Sequence, residues 1–235
     1  MDRSLARSNI YRMLSLLLRY PEERTRTLMS DDRWLQRFEE SVNTLDDRYS
    51  RSCFEALRDA CSEKRLPDLQ EMAAEYERLF GERHSVKDDV SYYMREVMDV
   101  LPDQMLVSMT SGEGVEKGVD KGETTAPGAP AGYATFHPSK TPADVHKAEF
   151  CVHKFEIMSI LAEMESKAVS GERIRLEEVQ LDFLSRFIVP SVPVFCEEMI
   201  NNCLLDVYRT LGLFAREYLK FEENYLGLPE ETDSS

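Results

Sequence analysis

LQEMAAEYERLF, residues 69–80, is the stretch on which the reading of the fold turns. Leu69, Met72, Ala73, Tyr76, Leu79 and Phe80 stand at i, i+3, i+4, i+7, i+10 and i+11, a spacing that makes one stripe along an α-helix but scatters over both faces of a strand. Gly81 follows, a residue suited to end a helix. The same period continues towards the N-terminus. Leu5, Ile10, Met13, Leu14, Leu17 and Leu18 predict a helix that Pro21 ends at Tyr20. Ser30 reads as an N-cap, with Asp31 and Asp32 in the first turn of a helix through Trp34, Leu35 and Phe38, and a third helix covers about 48–61.

Towards the C-terminus, Ser85 and Asp88 resemble a capping box ahead of the stripe Val90, Tyr93, Met94, Val97, Met98 and Leu101, which Pro102 ends or kinks. From 108 to 140 the composition changes to Gly, Pro, Ser, Thr and charge, as in a flexible linker. Thr141, Pro142 and Asp144 then open a long helix with the stripe Val145, Ala148, Val152, Phe155, Met158, Ser159, Ala162 and Val169, closed by Ser170 and Gly171. Leu176, Val179, Phe183, Leu184 and Phe187 make a helix running up to Pro190. Phe195 to Tyr225 reads as a final helical stretch, and 230–235 as a polar tail. Strand-type alternation hardly occurs. The expected architecture is all-α: a helical block over 1–107, a linker over 108–140 and a second block over 141–235, both blocks forming one bundle domain.

With 42% hydrophobic and 9% aromatic residues the chain can bury a proper core. A net charge of −15 repels phosphate backbones and anionic lipid, so neither nucleic acid nor a membrane surface is an expected partner. The first 30 residues run against this trend, with six arginines and three acids that read as ordinary helix surface. The acidic remainder suits a basic partner. No apolar run approaches the roughly 18–20 residues of a membrane span, and no secretory signal pattern is visible, which points to the cytoplasm. Five cysteines, an odd number without CxxC spacing, sit in apolar stretches and read as buried free thiols.

Chemistry-bearing patterns are few. His146, Glu149, His153 and Glu156 fall at i, i+3, i+7 and i+10 on one helical stripe, the separation used by carboxylate–histidine metal sites inside bundles, with Glu71 or Glu75 as facing donors. A metal-dependent bundle enzyme is therefore the alternative reading. Each of the four, however, follows an apolar-stripe residue by one position, which places it at a groove edge or the solvent boundary. No nucleophile motif and no phosphate loop occurs, so no catalytic residue, no cofactor and no resident metal is expected. Met94, Met98, Met105 and Met109 recur at four, seven and four, a flexible apolar surface of the kind that adapts to peptides.

Leu5 to Pro21 (LARSNIYRMLSLLLRYP), Glu75 to Phe80 (EYERLF), Phe155 to Met158 with Leu161 to Glu163, Phe183 to Phe195 (FLSRFIVPSVPVF) and Tyr208 to Leu226 follow one another in an order that resembles the TorD/DmsD/NarJ family of cytoplasmic molybdoenzyme chaperones. The resemblance covers most of the chain outside the linker. It implies a non-enzymatic, all-helical protein that binds the apo form of a molybdopterin oxidoreductase catalytic subunit, often at its twin-arginine leader, until cofactor is inserted. It further implies that Tyr76, Leu79 and Phe80 contribute to a peptide-binding face. The family's Asp-His pair corresponds to Asp144 and His146 with an insertion between them, or to the positions around Glu149, with His153 taking a groove role. Two departures stand out: no aromatic-Glu-Ser segment follows EYERLF, and Ser191 occupies a place where the family carries Trp. The linker lies where this family exchanges halves between subunits, so a monomer and a domain-swapped homodimer are both open. A client-free adaptor is the remaining reading.

Overall fold

The computed structural model describes residues 1–62, 64–80 and 147–228, giving the backbone alone for 147–150. Among the described residues nine α-helices follow one another: α1 (Arg3–Leu17), α2 (Glu23–Met29), α3 (Asp32–Leu45), α4 (Arg48–Ala60), α5 (Leu69–Phe80), α6 (Lys147–Lys167), α7 (Ser170–Phe183), α8 (Val192–Asn202) and α9 (Asp206–Leu226), with a π-helical turn at Leu184–Ile188. Among the described residues there is no strand, as the periodicity predicts. The described residues belong to one compact unit. The expected linker at 108–140, the helix behind Ser85 and the methionine series Met94 to Met109 lie outside the described residues. Among those described, no single helix is long and apolar enough to cross a membrane.

The packing follows from the stripes. α1 lies along α6 and α3, α9 lies against α8 and α4, and α7 packs on α6 and α9. An aromatic chain runs through the interior: Phe38 meets Phe54 at 4.8 Å and Phe214 at 5.1 Å, Tyr218 meets Tyr11 at 5.0 Å, and Tyr11 meets Phe155 at 5.7 Å. Tilted and edge-on pairs of this kind add roughly 0.5–1.5 kcal/mol each to the burial of the rings. Cys61, Cys151, Cys196 and Cys203 are buried free thiols and Cys53 is half-buried, in line with the expectation for the cysteines.

Local signals account for several boundaries. Asp47 caps α4 by accepting from Ser50 N at 2.6 Å. The cap of α3 is Asp31, which accepts from Arg33 N and Trp34 N; Ser30, read as that cap, instead closes α2 by donating to Arg26 O and Thr27 O. α2 itself has no counterpart in the sequence reading, because its seven residues bury only Met29 and carry no period. α1 ends at Leu17, three residues before the expected stop at Tyr20. Ser170 and Gly171 do not close the long helix but open α7, and Val169, assigned to the apolar stripe, is exposed.

The final helical stretch is two helices, not one. Cys203 adopts extended backbone between α8 and α9, and the ends are capped by distant side chains. Glu75 accepts from Leu204 N at 2.5 Å, Arg78 donates to Asn202 O at 2.6 Å, and Arg209 donates to Cys203 O at 2.8 Å. The resulting turn brings α9 back against α8, with Gly212 at the crossing. A Cβ there would stand 2.9 Å from Met199 Cβ and 3.1 Å from Cys196 O, so α8 would have to move. Gly212→Ala should therefore lose about 1–2 kcal/mol of unfolding free energy in urea titration, despite the roughly 1 kcal/mol that alanine gains in a helix. An unchanged or raised midpoint would show that the crossing is loose.

A charged cluster lies at the heart of this packing. Arg7, counted among the surface arginines in the sequence reading, is 0% exposed. Its Nε and Nη2 make a two-pronged bond to Glu222 at 2.7 Å each, Nη1 donates to Glu165 at 2.6 Å, and Nη2 also reaches Gln180 at 2.8 Å. The guanidinium stacks 4.3 Å from the Tyr225 ring centroid. Around it, Tyr11 and Tyr218 donate to Glu222, Ser4 donates to Glu165, and Arg173 pairs with Glu165 from a partly exposed position. α1, α6, α7 and α9 all contribute, and no charge in the cluster is left without an opposite partner.

Candidate functional site

Four of the five segments that carry the family resemblance meet at the C-terminal end of α5. Tyr76 is 3% exposed and donates to Leu18 O at 3.3 Å; its ring stands edge-on to Tyr20 at 5.4 Å and to Phe80 at 4.8 Å, and 6.5 Å from Tyr208. Phe80, 7% exposed, packs 5.1 Å from Phe195. EYERLF is thereby joined to the end of α1, to the start of α8 and to α9. Leu79, on the same stripe, is half-buried.

Glu75 ties this end together. Its carboxylate takes two bonds from Arg78, at 2.7 and 2.8 Å, besides the one from Leu204 N. Arg78, aided by the connector amides, holds the carboxyl below the usual glutamate range despite its burial. The next connector residue, Leu204, is 73% exposed, and Val194, beside Phe195, is exposed as well. The buried aromatic cluster of Tyr76, Phe80 and Phe195 thus has half-buried Leu79 and exposed Val194 as chain neighbours of its members, and exposed Leu204 as a bond partner of Glu75.

Three consecutive residues after α1 connect this region to α6. Leu18 receives the Tyr76 hydroxyl, Arg19 pairs with Glu156, and the Tyr20 hydroxyl donates to Glu77 at 2.7 Å. His153 Nδ1 lies 3.1 Å from Glu156 Oε2. Burial works against ionisation of Glu156, but His153 and Arg19 outweigh it and hold the carboxyl below its ordinary value. His153 and Glu156 are both partly exposed, matching the solvent-boundary placement expected from their spacing. Asp144 and His146 lie outside the described residues, as does the side chain of Glu149.

The proline-rich segment is held from beneath by Lys154. Pro190 has no amide proton to continue the helix, and the backbone widens to an i→i+5 bond from Val189 N to Leu184 O at 2.9 Å. Lys154 Nζ donates to Phe187 O and, at 2.5 Å, to Ser191 Oγ. Burial of this amine lowers its pKa to about 8. Ser191, where the resembling family has Trp, therefore serves as the acceptor for a buried lysine.

Sequence reasoning identified the apolar and aromatic members of this region, because they lie on stripes. It did not identify Glu75 and Arg78 as caps, or Lys154 as a clip, since their partners are 33 to 129 residues away. The carboxylates considered as facing metal donors are otherwise engaged. Glu71 forms a reciprocal capping box with Asp68, at 2.8 and 3.3 Å, and Glu75 is taken by Arg78 and Leu204. Among the described residues no group of three or more His, Cys, Asp or Glu is arranged to hold a metal ion. No family model matches the chain, and no curated protein and no solved structure matches it either.

Proposed function

We propose that the protein is a cytoplasmic chaperone of the TorD/DmsD/NarJ type, which binds an apo molybdopterin oxidoreductase catalytic subunit, most readily at its twin-arginine leader, and holds it for cofactor insertion. The observation that supports this reading is the junction at the end of α5, where segments resembling that family pack on one another, with Leu79 half-buried and Val194 and Leu204 exposed; in this reading those three form an apolar rim. A leader is basic and then apolar. The net charge of −15 favours approach of its basic part, and the rim offers contacts for the apolar part. The site residues in this reading are Tyr76, Leu79 and Phe80, with His153 at the boundary and Asp144, His146 and Glu149 as further members from the resemblance. In this reading buried Tyr76 and Phe80 serve as the floor, and half-buried Leu79 is the member that touches the peptide.

Calorimetric titration with the leader peptide of a co-encoded oxidoreductase tests the reading. No binding at about 100 µM peptide, together with failure of the catalytic subunit to co-purify, removes it. Leu204→Asp should weaken leader binding about tenfold while changing stability by no more than about 0.5 kcal/mol, because the side chain is exposed in the free protein. Equal affinity of this variant and the wild type would remove the rim from the binding face.

A further inference from the structure

We infer that the buried Arg7 cluster is the register key of α1: it selects one axial position of that helix against its neighbours, a task that apolar packing alone performs poorly. Ten of the fifteen residues of α1 are buried, on more than one side of the helix. Along it, Ala6, Ile10, Leu14 and Leu18 repeat at four, and Met13 and Leu17 repeat beside them. A slip by one turn, about 6 Å for four residues, exchanges one aliphatic side chain for another at most of these places. The polar residues repeat too, since Arg3-Ser4 precedes Arg7-Ser8 by one turn.

The cluster distinguishes these positions. Slipped one way, Tyr11 enters the Arg7 socket, and Glu165 and Glu222 lose the guanidinium that joins them. Slipped the other way, Arg3 fills the Arg7 socket and Ser4 the place of Ser8, but Arg7 takes the place of Tyr11 and lodges a second guanidinium between Phe155 and Tyr218, and Ser4 leaves Glu165. The first slip breaks a fully buried ion pair and the second buries a further guanidinium among aromatic rings, whereas the native position satisfies four guanidinium bonds at once. A single buried polar group fixes register in other helical assemblies at a cost in stability, and α1 has the same need.

The test removes the charges and keeps the shape. Arg7→Met, Glu165→Gln and Glu222→Gln are combined in the full-length chain, so that Tyr11, Tyr218, Ser4 and Arg173 retain acceptors. The methyl signal of Met13, a buried residue of α1 assigned with a Met13→Leu control, is then followed by NMR alongside the thermal transition. The wild type should give one Met13 signal. The neutral variant should unfold cooperatively near the wild-type temperature, show two or more Met13 signals in slow exchange, and lose at least about tenfold in amide protection over α1 relative to α4. One Met13 signal with α1 protection unchanged overturns the proposal, because apolar packing then fixes the register unaided. Loss of cooperative folding also overturns it, since the cluster would then be needed for the structure itself rather than for the choice of register.

Discussion

Arg7→Met alone should lower the unfolding free energy by about 3–5 kcal/mol, a large part of the 5–15 kcal/mol that a domain normally has. The reason is what it leaves behind. Glu165 and Glu222 would keep their burial and lose the cation between them, with only Arg173 remaining beside Glu165. Arg12, on the same helix and 57% exposed, pairs with Glu163, and its replacement by Met should cost less than about 1 kcal/mol. Urea unfolding of the two variants makes the comparison directly. Adding Glu222→Gln to Arg7→Met should recover part of the loss, because one orphaned charge is removed. Equal stabilities of the Arg7 and Arg12 variants would mean that water reaches the cluster.

Alkaline pH should destabilise the protein sharply. Burial pushes the thiols of Cys61, Cys196 and Cys203 up to about 12, and that of Cys151 higher still. In the unfolded chain these groups ionise near 8.5, so above that pH the folded state holds protons that the unfolded state has released, and stability falls as pH rises. Four such thiols should cost about 6 kcal/mol by pH 9.5. Lys154 acts in the opposite sense, because its lowered folded pKa makes the unfolded state the greater proton binder between about 8 and 10.4, returning about 2 kcal/mol over the same interval. The net loss of about 4 kcal/mol should appear as a fall in urea midpoint between pH 7 and 9.5 under reducing conditions, and Cys61→Ala should reduce that fall by about 1.4 kcal/mol. A midpoint independent of pH across this range would count against thiol burial as the cause.

What could be read from the sequence was local. α5 lies where its stripe puts it and α4 over the range expected of it, and the segment Leu69–Phe80 alone suffices for the helical reading. The turn between α8 and α9 could not be read, because nothing in Asn202–Asp206 ends a helix by itself; the groups that end it come from Glu75 and Arg78 on α5. Arg7 was hidden for a related reason. Residues 1–60 contain eleven arginines and eleven acids, and composition cannot say which arginine is the one inside. At the candidate site, the stripe identified Tyr76, Leu79 and Phe80, but alternation of buried and half-buried positions within it depends on Phe195, Leu18 and Tyr208, which approach from elsewhere in the chain.

The pairing of Arg7 with Glu222 also sets a timetable for synthesis. The two residues are separated by 215 positions. At about 5–20 residues per second the glutamate is made roughly 10–40 s after the arginine. For most of that interval α1 has α3 to pack on but lacks α6 and α9, and its guanidinium has neither Glu165 nor Glu222 beside it. The guanidinium that α1 carries is thus matched on both sides only after α9 has been made.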